Sequence, residues 1–225
     1  MKNHKAKNVA AKIMKNFFSL IIFITFSLPV YGDQSSDKKF EEGKPVIWID
    51  RSSNNRRVEG KILINATVDE CWKVASDFDG WADWCPGMVY SRTVGKVGDH
   101  IIGMSGEKVF FLTVHLPEKV LLDEEKKILS GQQLSNEEVA EYKKMGWDLI
   151  EANYTKDFRE EHRLAAYGDK TIWYYAITFE MKYSVPKMWE DLYCKMAVPI
   201  ILKAAKKGVE SEITTIKWFF RDFNG

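Results

Sequence analysis

The chain has 225 residues, with 33 lysines and arginines against 32 acids and a formal net charge of +1. So even a balance offers no basic face for displacing counterions, which excludes nucleic acid as a partner class. Three cysteines and four histidines stand at spacings that form no metal cluster, so neither a zinc module nor another metal cofactor is expected.

Residues 1–32 read as an address. Lys2, Lys5, Lys7, Lys12 and Lys15 form a positive leader without an acid, and Phe17 to Val30 is an apolar run of signal-peptide length, short for a membrane span. Val30-Tyr31-Gly32 suits cleavage before Asp33; the alternative is an uncleaved N-terminal anchor. Export is expected, to the periplasm in a bacterium and otherwise by secretion. Cleavage would remove five lysines and no acid, leaving 28 bases against 32 acids on about 190 residues. That length suits one domain, over 45–225. Asp33 to Lys44 is polar, lacks an apolar period and reads as a flexible linker.

Order is expected from Pro45, with Val46 to Ile49 a strand, a turn over Ser52 to Arg57, and Val58 to Ala66 a second strand. Thr67 and Glu70 form a capping box. The helix they open places Val68, Cys71, Trp72, Ala75 and Phe78 on one apolar stripe. Asp77 to Gly80 breaks it, and Trp81 to Cys85 makes another helical turn before Pro86-Gly87. Strands follow at Met88 to Val97, Ile101 to Ser105 and Val109 to Leu116.

Residues 118–146 read as an insertion, with a second capping box at Ser135-Asn-Glu-Glu138 opening a short, charged, solvent-facing helix. Trp147 to Asn153, His162 to Tyr167 and Thr171 to Tyr183 are expected strands. In the last of these, Ile177, Phe179, Met181 and Tyr183 alternate with Thr178, Glu180 and Lys182. Pro186 starts the longest helix, expected over Lys187 to Glu210 with a kink at Pro199. Cys71 and Cys85 lie on successive helices, so an oxidising compartment permits one bridge between them; the alternative is that Cys71, Cys85 and Cys194 are all thiols.

This order, with Ile64-x-Ala66, Cys71-Trp72, Asp77-Phe78-x-x-Trp81-x-x-Trp84-x-Pro86-Gly87 and the Pro186-led helix, resembles the START-like (SRPBCC) superfamily. The branch it is most similar to is the polyketide cyclase/dehydrase or coenzyme Q-binding group, and the resemblance covers Val58 to Gly208. It implies an α+β helix-grip fold, in which a curved antiparallel sheet wraps a long C-terminal helix around a cavity. It also implies an apolar ligand, since members bind sterols, phospholipids, quinones or polyketides, and some cyclise or dehydrate a polyketide.

On that basis the cavity-lining candidates are Trp81, Trp84 and Met88 at the mouth, and Trp173, Tyr175, Ile177, Phe179 and Met181 on one strand face. Leu192, Met196 and Ile200 on the long helix complete the set. Trp81 and Trp84 read equally well as pins holding the short helix to the sheet.

Groups suited to chemistry are scarce. His100, His115 and His162 fit no ligand spacing, and Asp77, Asp79 and Asp83 are explained by helix ending. Glu160-Glu161-His162-Arg163 reads as a solvated strand edge. No catalytic residue is assigned and no organic cofactor is expected. The expected function is binding of a hydrophobic small molecule or lipid by a monomer. One alternative is a cyclase/dehydrase-type enzyme drawing on groups such as His115, Tyr175 or Arg163. The other is an envelope interaction module in which the aromatic tail, Ile213 to Phe223, or the charged insertion docks a partner; the first reading of the tail is that it packs back on the domain, and the other that it touches a membrane surface.

Overall fold

The computed structural model describes residues 35–50, 56–109 and 112–222. The leader over 1–32, the turn over 52–55, the Cys194 side chain and the side chains of the 213–223 tail lie outside them. Helix α1 (Ser35–Glu41) leads into β1 (Val46–Asp50) and β2 (Arg56–Ile64), followed by α2 (Val68–Ser76), a 3-10 turn at Phe78–Gly80 and α3 (Trp81–Trp84). Strands β3 (Met88–Val97), β4 (His100–Val109), β5 (Leu112–Asp123) and β6 (Ile128–Gln133) then run to α4 (Asn136–Lys144). The chain ends in β7 (Thr155–Tyr167), β8 (Lys170–Met181) and the long helix α5 (Lys187–Asp222).

All eight strands form one curved antiparallel sheet in the order β1-β2-β8-β7-β6-β5-β4-β3. From β3 to β8 it is a meander of sequential neighbours, and β2 closes against β8 with Ile62 opposite Trp173. The inner face carries α2, α3 and α5.

Local sequence explains the first helices. The Thr67 hydroxyl accepts from the Glu70 amide, and the Glu70 carboxylate accepts from the Thr67 amide, so two orphan donors at the N-terminus are satisfied. Asp77 then accepts from the Gly80 amide at 3.3 Å, and Asp79 accepts from the Thr93 amide, tying the break in the helix to β3. These aspartates are structural.

Four expectations are corrected. Asp33 to Lys44 is not a linker throughout: Ser35–Glu41 is helical because Phe40 is buried edge-on to Tyr167, beneath the Lys61 ammonium. The insertion expected over 118–146 contains two pieces of the sheet itself, the end of β5 and all of β6, besides α4. Pro117 masked this, because proline normally marks a strand's end. Its carbonyl accepts from the Leu134 amide, just beyond the last β5–β6 pair, Glu118 opposite Gln133, so the missing N–H falls where that ladder has stopped. Trp147 to Asn153 is not a strand, since it crosses the outer face of the sheet. There Leu149 joins Ile102, Met104, Leu134 and Val139 in a second core, so α4 is solvent-facing except along its Val139 edge.

The fourth correction concerns α5, which runs to Asp222 and turns a different face to the sheet. Val198, Ile201, Leu202, Ala205 and Val209 are buried, whereas Met196 and Ile200 are 47% and 41% exposed. A strict i, i+4 row advances about 400° per step, so it drifts about 40° each time and leaves the contact face within three steps. The approach is close: a methyl group on Gly60 of β2 would stand 2.7 Å from Val198 and 2.9 Å from Leu202. Leu202→Ala is therefore expected to cost about 2–5 kcal/mol. Met196→Ala should stay within about 0.5 kcal/mol. Urea unfolding of the two variants checks this, and the opposite ranking would restore the face expected from sequence.

Candidate functional site

Period-two alternation brings chemistry to the inner face of the sheet. In β8, Trp173, Tyr175, Ile177 and Phe179 point inward and are buried. On neighbouring β7, Glu160 pairs with Ile177, and His162 with Tyr175, so both share that face while Glu161 and Arg163 point outward. The cluster read from sequence as a solvated edge is thus split by the pleat: Glu160 and His162 are buried, and Arg163 lies exposed over the Tyr174 ring.

Glu118 of β5 and Glu107 of β4 complete the inner set. Gly131 of β6 leaves room for them. A methyl group there would sit 2.8 Å from Glu160 Cγ, 3.0 Å from its Oε1 and 3.2 Å from Glu118 Oε2, so the two carboxyl groups meet above this glycine. Ser105 Oγ donates to Glu118 Oε1 at 2.8 Å, and the Tyr175 hydroxyl donates to Glu160 Oε2 at 3.2 Å.

Protonation follows from this enclosure. Burial first, then the charge of Glu160, holds the Glu118 carboxyl well above the usual carboxylate range. It therefore carries the proton that the two carboxyl groups share, and donates across to Glu160. Burial and the Glu160 charge also push Glu107, half-buried and bonded by Tyr193, up to about 7. Tyr175 is raised by burial and by the charges of Glu160 and Glu107. Cys85 is raised by burial and then by the same two glutamates. Among the described residues, no lysine or arginine acts against the shifts of these groups.

An aromatic wall stands over the carboxyl groups. Trp81 packs on Phe78, Trp84 and His162, and Trp84 meets Trp173 edge-on at 6.2 Å. The Trp173 indole donates to His162 Nδ1 at 3.1 Å. An indole nitrogen only donates, so Nδ1 is an acceptor and the ring's proton is on Nε2. That Nε2 stands 3.8 Å from Glu160 Oε2. Four buried polar atoms have no hydrogen-bond partner among the described residues: Trp84 Nε1, Glu118 Oε2, Glu160 Oε1 and His162 Nε2. The shared proton accounts for the two carboxyl oxygens, and the two ring N–H groups remain.

Of the candidates read from sequence, Trp173, Tyr175, Ile177 and Phe179 share the inner face with these acids. Trp81 is buried and its indole donates to the Ala75 carbonyl at 3.0 Å, so it pins the turn in place. Trp84, Met88 and Met181 are half-buried against the main core. Leu192 is half-buried on α5, while Met196 and Ile200 are turned outward. Cys71 and Cys85 are buried free thiols. His115 is bonded by the Tyr90 hydroxyl at 2.7 Å on the outer side of the sheet. Glu107, Glu118, Glu160 and His162 were missed as site residues. The inward set Phe158, Glu160, His162 and Leu164 was the available signal, because it places an acid and a histidine on an apolar strand face.

A groove of about 540 Å³ opens on the opposite face, bordered by Arg57, Lys119, Leu121, Gln132, Arg159 and Thr178. Its cations are paired, Arg57 with Glu59, Lys119 with Glu138 and Arg159 with Asp157, which makes it a solvated surface. Among the described residues no cluster of His, Cys, Asp and Glu could hold a metal, and no helix is long and apolar enough to cross a membrane.

A curved antiparallel sheet, two short helices after its first long strand and a long C-terminal helix on the inner face define the START-like helix-grip class. Residues 55–213 match the family described as polyketide cyclase / dehydrase and lipid transport, and the chain belongs to that family. The fold is shared with the Zhui aromatase/cyclase of a Streptomyces species, at 15% identity and a TM-score of 0.58, over 71% of this chain and 96% of that one. It is shared too with a STAR-related lipid transfer protein from Xanthomonas axonopodis, at 12% identity and 0.56, over 81% and 98%. A START superfamily protein from Mycobacterium smegmatis aligns at 13% and 0.56, over 69% and 97%. At these identities the likeness concerns the fold alone. No curated protein matches the sequence.

Proposed function

We propose that the chain is an exported, monomeric carrier that holds a hydrophobic small molecule or lipid between the inner sheet face and α5. One observation carries this reading. Among the described residues, the ring N–H groups of Trp84 and His162 are buried without partners beside apolar side chains of β7, β8 and α3, and such groups are costly unless something accepts from them. The family's lipid-transport and cyclase members supply the precedent for an apolar guest. Export rests on the basic leader and the Phe17 to Val30 apolar run.

Native mass spectrometry of protein purified from its own host tests the carrier role. A retained adduct of lipid-like mass that is released by organic solvent is expected. A clean apo mass, together with failure to bind a neutral apolar dye, would overturn it.

The carboxyl pair favours a second reading, acid–base chemistry on the bound molecule. Glu118 is a buried neutral acid, the Glu160 carboxylate beside it is a candidate base, and His162 Nε2–H is a donor for charge developing on an oxygen. If a reaction occurs, Glu160→Gln should abolish turnover while leaving the retained adduct in place.

A further inference from the structure

The inner-face polar groups also select the chemistry of the ligand's polar end. His162 is 2% exposed and its Nε2–H is a fixed donor, because Trp173 occupies Nδ1. The Glu160 carboxyl beside it is an acceptor. Their 3.8 Å separation is too long for a direct hydrogen bond. An oxygen about 2.8 Å from both atoms fits that separation, accepting from the imidazole and donating to the carboxylate.

Charged head groups fit less well. An ammonium can donate to Glu160 but accepts nothing, so it would leave the His162 and Trp84 N–H groups unpaired. A carboxylate or phosphate only accepts, and would lie against the Glu160 carboxylate with no cation among the groups named here to offset the two charges. None of the inner-face groups named here is a lysine or arginine.

We infer that the ligand ends in an uncharged hydroxyl seated between Glu160 and His162 Nε2, and that apolar molecules ending in a carboxylate, phosphate or ammonium are excluded. The inference rests on the carrier reading above.

The experiment is displacement of Nile red, a neutral apolar dye, from the full chain by dodecanol, dodecylamine and dodecanoic acid at neutral pH. Dodecanol should displace the dye at a concentration at least roughly tenfold below either charged analogue. In the Glu160→Gln variant, which keeps the shape and removes the charge, displacement measured against the variant's own dye affinity should narrow the alcohol-to-acid ratio by roughly tenfold. Equal affinities for the three head groups, or tighter binding of the acid or the amine, overturn the hydroxyl assignment and leave the carrier reading standing. Failure of the wild type to bind Nile red or any dodecyl probe overturns both.

Discussion

Replacing Trp173 with alanine is expected to lower the unfolding free energy by about 3–5 kcal/mol. Its indole is fully buried, meets Trp84 and His162 edge-on, and lies opposite Ile62 at the junction of β2 and β8. Truncation removes one of the largest buried side chains and leaves His162 Nδ1 without a donor. Trp173→Phe separates these effects. It keeps most of the apolar area and loses the hydrogen bond, for a cost of about 1–3 kcal/mol. Nitrogen NMR of the imidazole reads the local change: the wild type should show the Nε2–H tautomer, and the phenylalanine variant should lose that fixed assignment. An unchanged tautomer in Trp173→Phe would mean that something other than the indole holds the ring.

Stability should fall as pH rises, through the inner-face glutamates. The Glu107 carboxyl is raised from 4.5 to about 7, so between those values the folded protein keeps a proton that the unfolded chain has released. Its contribution is complete below pH 4.5 and is lost as pH climbs through about 7, at a cost on the order of 1–3 kcal/mol. Glu118, held above the usual carboxylate range by burial and by the Glu160 charge, adds to the same decline. Glu118→Gln should remove that contribution. Its amide nitrogen can donate toward Glu160 as the protonated carboxyl does, its oxygen can still accept from Ser105, and it does not titrate. Urea unfolding from mildly acidic to alkaline pH should give a flatter profile for Glu118→Gln and for Glu107→Gln than for the wild type. Parallel profiles would refute the buried shared proton.

Local features were legible in the sequence to the extent that their physics is local. The capping boxes at Thr67–Glu70 and Ser135–Glu138 form as expected, because each needs only four consecutive residues. The alternation of β8 predicted its buried face, since the pleat is a property of one strand. Contacts between distant segments were hidden. Pro117 looked like a strand end because its tolerance depends on where the β6 ladder stops, which β5 alone does not encode. Met196 and Ile200 were placed inward because apolar spacing on a helix fixes a stripe but not which stripe meets Gly60.

The site shows the same division. Trp173 and Tyr175 were found as members of an apolar face, yet their polar partners were not. Glu160 and His162 looked like part of a charged edge, although the alternation with Phe158 and Leu164 was there to be read.

By itself, the sequence determined the caps and the apolar strand faces, because these follow from chain-local geometry and burial of period-two residues, while the helix-grip fold was implied by the START-like resemblance. Only the tertiary structure decided that Glu107, Glu118, Glu160 and His162 come together. They lie on β4, β5 and β7, and the sheet must curve and pair across Gly131 before one carboxyl group can press on another and keep its proton.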